Sequence, residues 1–313
     1  MSRDAFSHDP QDTRDPSPRR SVRQRTSTPP DPDTRSDTND GPESLARSEG
    51  REHREQHPTR DQRSDSPRAY YVRDRAYRLR DSEMHSLKEI GRFRVIPVPD
   101  LAKYAYGGNR ERMEKDIRGL ARQFLLTDKT VEISQKKTLR VVTLTKAGHR
   151  LLKRTNQLSD NQPIYHGLVK PRELKHDADL YRLYQKEAAR IERAGGRPLR
   201  VILDYELKRN LNRDLALLGP ERDNPDRKGE IAAKHGLQLV NGKIPLPDMR
   251  VEYETAELDV RHVDLELATR EYRPRALAEK AAAGFSMYSR PEDASRLRRI
   301  LDERELTAGI LSL

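Results

Sequence analysis

The sequence predicts an α+β multidomain chain: a small helical unit closed by a β-hairpin, then a larger α/β unit, both behind a disordered N-terminal arm. Three observations predict it. Up to about Pro67 there is almost no apolar side chain beyond Phe6, Val22 and Leu45. Between Arg110 and Leu144 one apolar stripe of helical period gives way to two short β-branched runs. From Glu173 onward a long amphipathic helix is followed by strand-like and helix-like segments in turn.

The arm, assigned to residues 1–68, is Arg, Asp, Ser, Thr and Pro with little else. Such a stretch cannot bury enough surface to offset roughly 1–2 kcal/mol of backbone entropy per residue. Its mixed charges suit either phosphate contact or plain solubility. The 313-residue chain is 36% charged and 33% hydrophobic, with a formal net charge of +11. A basic balance attracts polyanions, of which nucleic acid is the usual one. The absence of Cys excludes disulfides, zinc fingers and thiol catalysis. The nine His show no metal-ligand spacing, nor the paired arrangement of a DNA-nicking relaxase. No apolar run approaches ~18 residues and the N-terminus lacks a signal-peptide core, so a cytoplasmic protein without a membrane partner is expected. Neither Gly107-Gly108 nor Gly195-Gly196 continues into a phosphate loop, and no Gly-x-Ser-x-Gly elbow is present.

The helical unit is assigned to residues 69–155. Asp81 or Ser82 can cap a first helix with Met84, Leu87 and Ile90 inward. Pro97 and Pro99 interrupt it, a short helix spans Asp100–Tyr106, and Gly107-Gly108 makes the turn. Asn109 caps the third helix, in which Met113, Ile117, Leu120 and Phe124 form one stripe. The opposite side carries Arg110, Arg112, Lys115, Arg118 and Arg122. Val131–Ile133 and Thr138–Leu144 then read as a hairpin whose turn holds Lys136 and Lys137. Thr145 caps a last helix, Lys146–Arg154.

Three helices, a hairpin and a closing helix in this order resemble a winged-helix domain. Leu144–Leu152 resembles the LTxxGxxLL ending common in winged-helix regulators. The resemblance implies that the Arg110–Arg122 helix enters a DNA major groove and that Lys136 and Lys137 sit on the wing. The competing reading is a winged helix used for protein contacts, its cations merely solvated.

Residues 156–172 read as a polar linker and 173–313 as an α/β unit. A helix covers Glu173–Ala194, Leu199–Tyr205 is a strand, and Pro220–Asp226 is a loop before a helix at Arg227–His235. Met249–Glu254 and His262–Thr269 are neighbouring strands. Arg275–Ala283 is a helix, Phe285–Tyr288 a strand and Pro291–Leu306 a terminal helix. Alternation along the second of the paired strands puts Asp264 and Glu266 on one side, roughly 7 Å apart. If the strands pair, Asp248 joins them, and three converging carboxylates are what Mg²⁺ or Mn²⁺ would need. The other readings are plainer. Asp264 and Glu266 can be a solvated strand face, His176-Asp177 a helix cap, Glu206 a surface ion pair with Lys208 or Arg209, and Lys280 a surface lysine.

His176-Asp177, Pro247-Asp248, Val263–Thr269, Lys280 and Tyr288 together resemble the PD-(D/E)XK nuclease superfamily, and more closely the replication-relaxation family of plasmids and mobile elements. Members of that family look like a winged helix followed by a decayed nuclease-like domain. A working nuclease carries a lysine two residues after its strand carboxylate. Here that position is Glu266 or Ala268, so Lys280 would have to reach in from the next helix. The resemblance implies a DNA-binding accessory or regulatory protein of replication, mobilisation or transcription. Its partners would be double-stranded DNA, replication or conjugation proteins and a second copy of the chain. The rival readings are a metal-dependent endonuclease using Asp248, Asp264, Glu266 and Lys280, and a protein–protein scaffold.

Overall fold

The computed structural model describes residues 66–313 apart from 135–136, 160, 270 and 304–309, and all of these belong to one compact unit. The arm expected over residues 1–68 lies outside the described residues up to residue 65, and its last residue already opens a strand. The fold is mixed α+β.

It begins with an antiparallel hairpin, β1 (Arg68–Val72) and β2 (Arg75–Leu79), which sequence reading does not anticipate. Only Tyr77 and Leu79 are buried there, too few to make a visible alternation. Helix α1 (Asp81–Gly91) buries Met84, Leu87 and Ile90 as expected. Its N-cap is Arg80, not Asp81 or Ser82, and the Arg80 N–H donates to Glu83 Oε2 at 2.9 Å. Strand β3 (Ile96–Pro97) leads into α2 (Val98–Ala105), which starts earlier than expected because Pro99 suits a first helical turn. Gly107 and Gly108, at φ 56° and 89°, then make a turn that L side chains rarely adopt.

Helix α3 (Arg110–Arg122) is capped by Asn109, whose side chain accepts from the Arg112 N–H at 3.0 Å. Met113, Ile117 and Leu120 are buried; Phe124 is not, being 66% exposed. The helix has already ended, and Phe124 sits in the left-handed region at φ 59°. The Phe124 N–H donates to Ala121 O at 2.9 Å and the Leu125 N–H to Leu120 O at 3.0 Å, a Schellman closure. Leu125 thereby takes the core position expected of Phe124.

Strands β4 (Leu126–Ser134) and β5 (Lys137–Leu144) pair antiparallel from Leu126 opposite Leu144, and β3 joins the far side of β5. Both strands are longer than expected, because β4 continues upstream through Thr127–Thr130, where only polar side chains alternate. Thr145 accepts from Ala147 and Gly148 N–H groups at 3.2 and 3.1 Å and starts α4 (Lys146–Thr155). A Cβ on Gly148 would lie 2.2 Å from the Leu125 carbonyl oxygen, so only glycine lets α4 cross this close to the α3–β4 junction.

Residues 156–172, expected as a linker, are hydrogen-bonded on both flanks. Gln162 brackets the backbone of Val201, with its Oε1 accepting at 2.9 Å and its Nε2 donating at 2.8 Å. The Tyr165 N–H donates to Gly91 O and the Gly167 N–H to Leu144 O, both at 2.8 Å.

Helix α5 (Pro171–Arg193) starts two residues before the expected Glu173, so His176 and Asp177 lie in its second turn and cap nothing. Strand β6 (Arg197–Leu203) stops short of the expected Tyr205, because Asp204 opens helix α6 (Asp204–Ala216) with Leu207, Leu211 and Leu215 inward. The expected loop at Pro220–Asp226 contains a 3₁₀ turn at Gly219–Asp223. Helix α7 (Pro225–Lys234) then starts at once, capped by Asn224. Next come β7 (Met249–Glu254), β8 (Val260–Ala268), α8 (Pro274–Ala282), β9 (Ser286–Ser289), α9 (Pro291–Asp302) and β10 (Ile310–Ser312). The second sheet has the order β10-β9-β8-β7-β6, antiparallel from β6 to β8 and parallel from β8 to β10. Val201, Leu203, Met249, Val251, Leu265, Leu267 and Tyr288 share one core with α5. Ala268 and Met287, on the other face, share a core with α8 and α9.

Gly148→Ala should cost about 1–3 kcal/mol through overpacking, a fall of roughly 3–10 °C in Tm. Gly229→Ala, inside α7 with nothing within 4 Å of the added Cβ, should instead raise the Tm slightly in the same thermal melts, because alanine favours helix over glycine by about 0.5–1 kcal/mol. Equal melting of the two variants would reject the close crossing.

Candidate functional site

Two places gather the residues singled out by the sequence. The first is the outer face of α3. Arg110, Arg112, Lys115, Arg118 and Arg122 are all exposed, and none has a carboxylate within 4 Å among the described residues. At 1.5 Å per residue this helix is roughly 20 Å long. At 100° per residue Lys115, Arg118 and Arg122 fall opposite the buried stripe, with Arg112 beside them.

The acids of the same helix are treated differently. Glu114 is bound by Arg140 of β5 at 2.5 and 3.0 Å, and the same guanidinium holds Asp128 of β4 at 2.6 and 2.9 Å. Hydrogen bonds to the two carboxylates push the Arg140 pKa further up. Asp116 is buried and accepts from Arg80 at 2.9 Å and from the Tyr106 hydroxyl at 3.0 Å. The helix therefore buries Asp116, ties the partly exposed Glu114 sideways to the hairpin, and leaves Glu111 exposed with its cations. On the hairpin, Lys137 is exposed, while Lys136 lies outside the described residues.

The second place is the face of the larger sheet that α8 covers. Asp248 and Glu266 meet there: the Asp248 N–H donates to Glu266 Oε2 at 3.1 Å. Lys280 does reach in from α8, its Nζ lying 2.8 Å from Glu266 Oε1 and also donating to the Leu246 carbonyl. The Tyr272 hydroxyl donates to the same Oε1. Asp248 Oδ2 accepts from the Leu267 N–H at 2.9 Å, and His176 Nε2 stands 3.5 Å from Oδ1.

Asp264 does not join this pair. It shares a face with Glu266, as alternation requires, but it lies directly across from Arg250 of β7. The two form a buried ion pair, with Arg250 Nε and Nη2 at 2.7 and 2.8 Å, and Arg250 also donates to the carbonyls of His235 and Gly236. Asp264 is thus a structural counter-ion and Arg250 the residue that sequence reading missed. A cross-strand register for β7 and β8 would have found it. Tyr272 was missed too, as a loop tyrosine with no pattern around it. Glu206 forms the expected ion pair with Arg209, but inside helix α6.

Glu266 is 0% exposed. Burial, and then repulsion from Asp248, push its pKa up to about 7, with Lys280 pulling against them. Burial alone would lower His176, but its contact with Asp248 and the charges of Asp177 and Asp204 outweigh that and raise it. Burial pushes Asp177 up to about 6 against the pull of Arg94, whose guanidinium lies 3.7 Å away and also reaches Asp204 at 3.1 Å.

A divalent ion would need oxygens free of protein donors. Each oxygen of Asp248 and Glu266 already faces one: His176, the Leu267 and Asp248 N–H groups, Tyr272 and Lys280. No group of three or more His, Cys, Asp or Glu among the described residues could hold a metal ion. The donor set as arranged does not fit Mg²⁺ or Mn²⁺. Among the described residues no helix is long and apolar enough to cross a membrane.

No family model matches the chain, and no curated protein matches it. Among solved structures it is similar to Bacillus subtilis PadR in complex with operator DNA, at 13% identity over 50% of this chain and 90% of that one, with a TM-score of 0.19. A likeness of that size carries no weight for fold or function.

The raised carboxyl of Glu266 sets a sign for stability against pH. The unfolded chain releases this proton near 4.5 and the folded chain only near 7, so its contribution falls as pH rises through that window and is flat above it. Glu266→Gln should therefore gain on the wild type in urea midpoint between pH 5 and 7.5. Parallel profiles would contradict the raised pKa.

Proposed function

We propose that this chain is a DNA-binding protein that reads duplex DNA with a winged-helix module, α3 in the major groove and the β4–β5 hairpin as wing. The observation that carries this is the sorting of charge on α3. Arg112, Lys115, Arg118 and Arg122 face outward unpaired, while Glu114 and Asp116 are held by Arg140, Arg80 and Tyr106. An ordinary solvated helix face would pair its cations with its own acids three or four residues away. Here Glu114 and Asp116 are occupied elsewhere and Glu111 is the one acid left among the cations, so the face keeps a net positive charge some three turns long. That suits a groove about 12 Å wide lined by phosphates. Lys137 extends the positive charge onto the hairpin.

The larger sheet with its covering helices is read as a PD-(D/E)XK-like module without a working centre. Its order of helix, antiparallel strands, helix and parallel strand supports this reading, as does the convergence of Asp248, Glu266 and Lys280. The setting, an accessory or regulatory role in replication, mobilisation or transcription of a plasmid or mobile element, rests on the sequence resemblance alone.

Arg112→Ala with Arg118→Ala should weaken binding to duplex DNA at least tenfold in fluorescence anisotropy while leaving the thermal melt unchanged. Wild-type affinity should fall steeply with salt, as counterion release requires. No measurable affinity for duplex at low salt would instead favour the scaffold reading. The enzyme reading has its own test. Supercoiled plasmid incubated with the protein and Mg²⁺ or Mn²⁺ should stay intact, and nicking that disappears in Asp248→Ala would overturn the inactive-centre reading.

A further inference from the structure

We infer that the β1–β2 hairpin and the last turns of α4 form a second phosphate-binding surface, which continues the α3 face along the backbone of the same DNA duplex. The inference rests on the DNA-binding reading of α3 and adds a surface to it.

Arg73, Arg150, Lys153 and Arg154 surround a groove of about 380 Å³ floored by Val72. Arg73 forms the hairpin turn, at φ 52°, and the other three lie on consecutive turns of α4. All four are exposed, and none has a carboxylate within 4 Å among the described residues. Four cations in one groove without counter-ions repel one another. They persist in a folded unit at little cost only because water screens them, and an external polyanion would relieve the repulsion.

The hairpin is also fixed in register with α3. Gln123, the residue that closes α3, accepts from the Arg78 N–H at 3.1 Å and donates to the Arg78 carbonyl at 3.0 Å. Beside this tether the Arg75 guanidinium lies 5.1 Å from the Tyr77 ring centre and 5.7 Å from that of Phe124. This gives the exposed Phe124 a role that its place in the sequence does not suggest. From the tether at Arg78 back to its first residue Arg75, β2 runs roughly 10 Å, and the turn at Arg73 lies just beyond. Arg75, whose guanidinium also donates to the Gln123 carbonyl at 3.5 Å, is thus the cation between the end of α3 and the Arg73 turn, while Arg78 points to the opposite face of the strand.

The occupant is the regular phosphodiester backbone. An isolated phosphate would be expected to sit on buried, converging donors, and here the cations are spread out and solvated. A duplex presents one charge per ~1.7 Å of axis and meets such a spread at several points.

The test uses the full chain and a labelled duplex of about 20 base pairs, two helical turns, titrated over a salt series. The triple variant Arg73→Ala, Lys153→Ala, Arg154→Ala touches only exposed side chains, so its thermal melt should match the wild type. The expected result is at least a tenfold loss of affinity, with the slope of log K against log salt shallower by about 2 to 3, near 0.9 for each lost phosphate contact. Wild-type affinity and slope in the triple variant, alongside weakened binding in the Arg112→Ala, Arg118→Ala variant, would overturn this inference and leave the α3 reading standing. Loss in the triple variant with none in the α3 variant would keep this surface and remove α3. A wild-type protein that fails to bind duplex at all would remove both.

Discussion

The burial of α5 on two sides at once is the constraint on which the rest of the structure depends. Its aromatic residues meet the first half of the chain: Tyr181 lies edge to face 5.0 Å from Phe93 and 5.9 Å from Tyr104, and Tyr184 lies tilted 5.3 Å from Phe93. The same helix packs on β6, β7 and β8 of the larger sheet. Its polar residues are committed as well. Arg182 reaches back to Asp100 at 2.8 Å, Gln185 to Glu89 at 2.8 Å, and the fully buried Glu187 accepts from the Tyr288 hydroxyl at 2.7 Å. One continuous core thus runs from Tyr77 to Tyr288. The α3 face and the carboxylate centre are held in a fixed relation by packing, with no free linker between them.

That rigidity explains how α3 tolerates its unpaired cations. A helix bearing five exposed Arg and Lys side chains has good propensity but is opposed by repulsion between like charges one turn apart. Its stability comes instead from Met113, Ile117 and Leu120 beneath it, and from charged groups that anchor its acids to neighbouring elements. Arg140 clamps Glu114 to the hairpin and Arg80 clamps Asp116 to the start of α1. The Arg140 clamp draws Glu114 away from the outer cations, while Asp116 lies on the buried side of the helix and Glu111 stays exposed. Packing and electrostatics thus act on the same side chains: what fixes the helix also polarises it.

How far the sequence reveals this depends on whether the signal is local. The start and the buried stripe of helix α3 are legible, because the glycine turn and Asn109 lie directly before it and the Met113–Ile117–Leu120 spacing lies within it. Phe124 misleads for a local reason too: it keeps helical spacing, and only the Schellman closure, in which it is itself the left-handed residue, removes it from the core. The β1–β2 hairpin is illegible because its exposed positions mix arginines with Ala69, Tyr71 and Ala76, and its burial depends on packing against α1 and α4. Helix α6 carried a signal, Leu207, Leu211 and Leu215, that was hidden by the apolar run of β6 before it. In the larger sheet the faces of Asp264 and Glu266 follow from alternation, whereas their partners do not. Arg250 opposite Asp264 depends on register, and Lys280 beside Glu266 depends on how α8 crosses the sheet.

The Glu266–Lys280 pair shows why such a centre can persist without performing chemistry. A buried carboxylate next to a second one is costly, and the raised pKa of Glu266 records that cost. In a metal site the ion meets it. Here the ammonium of Lys280 and the hydroxyl of Tyr272 lie against the same oxygen instead, and the Asp248 N–H holds the other. Removing one member of such a network leaves an uncompensated group in the interior, which typically costs more than the intact network contributes. The arrangement is therefore self-maintaining. Substitution of Asp248, Glu266 or Lys280 would be opposed on grounds of folding alone, so their presence together testifies to the stability of the β7–β8–α8 junction before it testifies to any reaction.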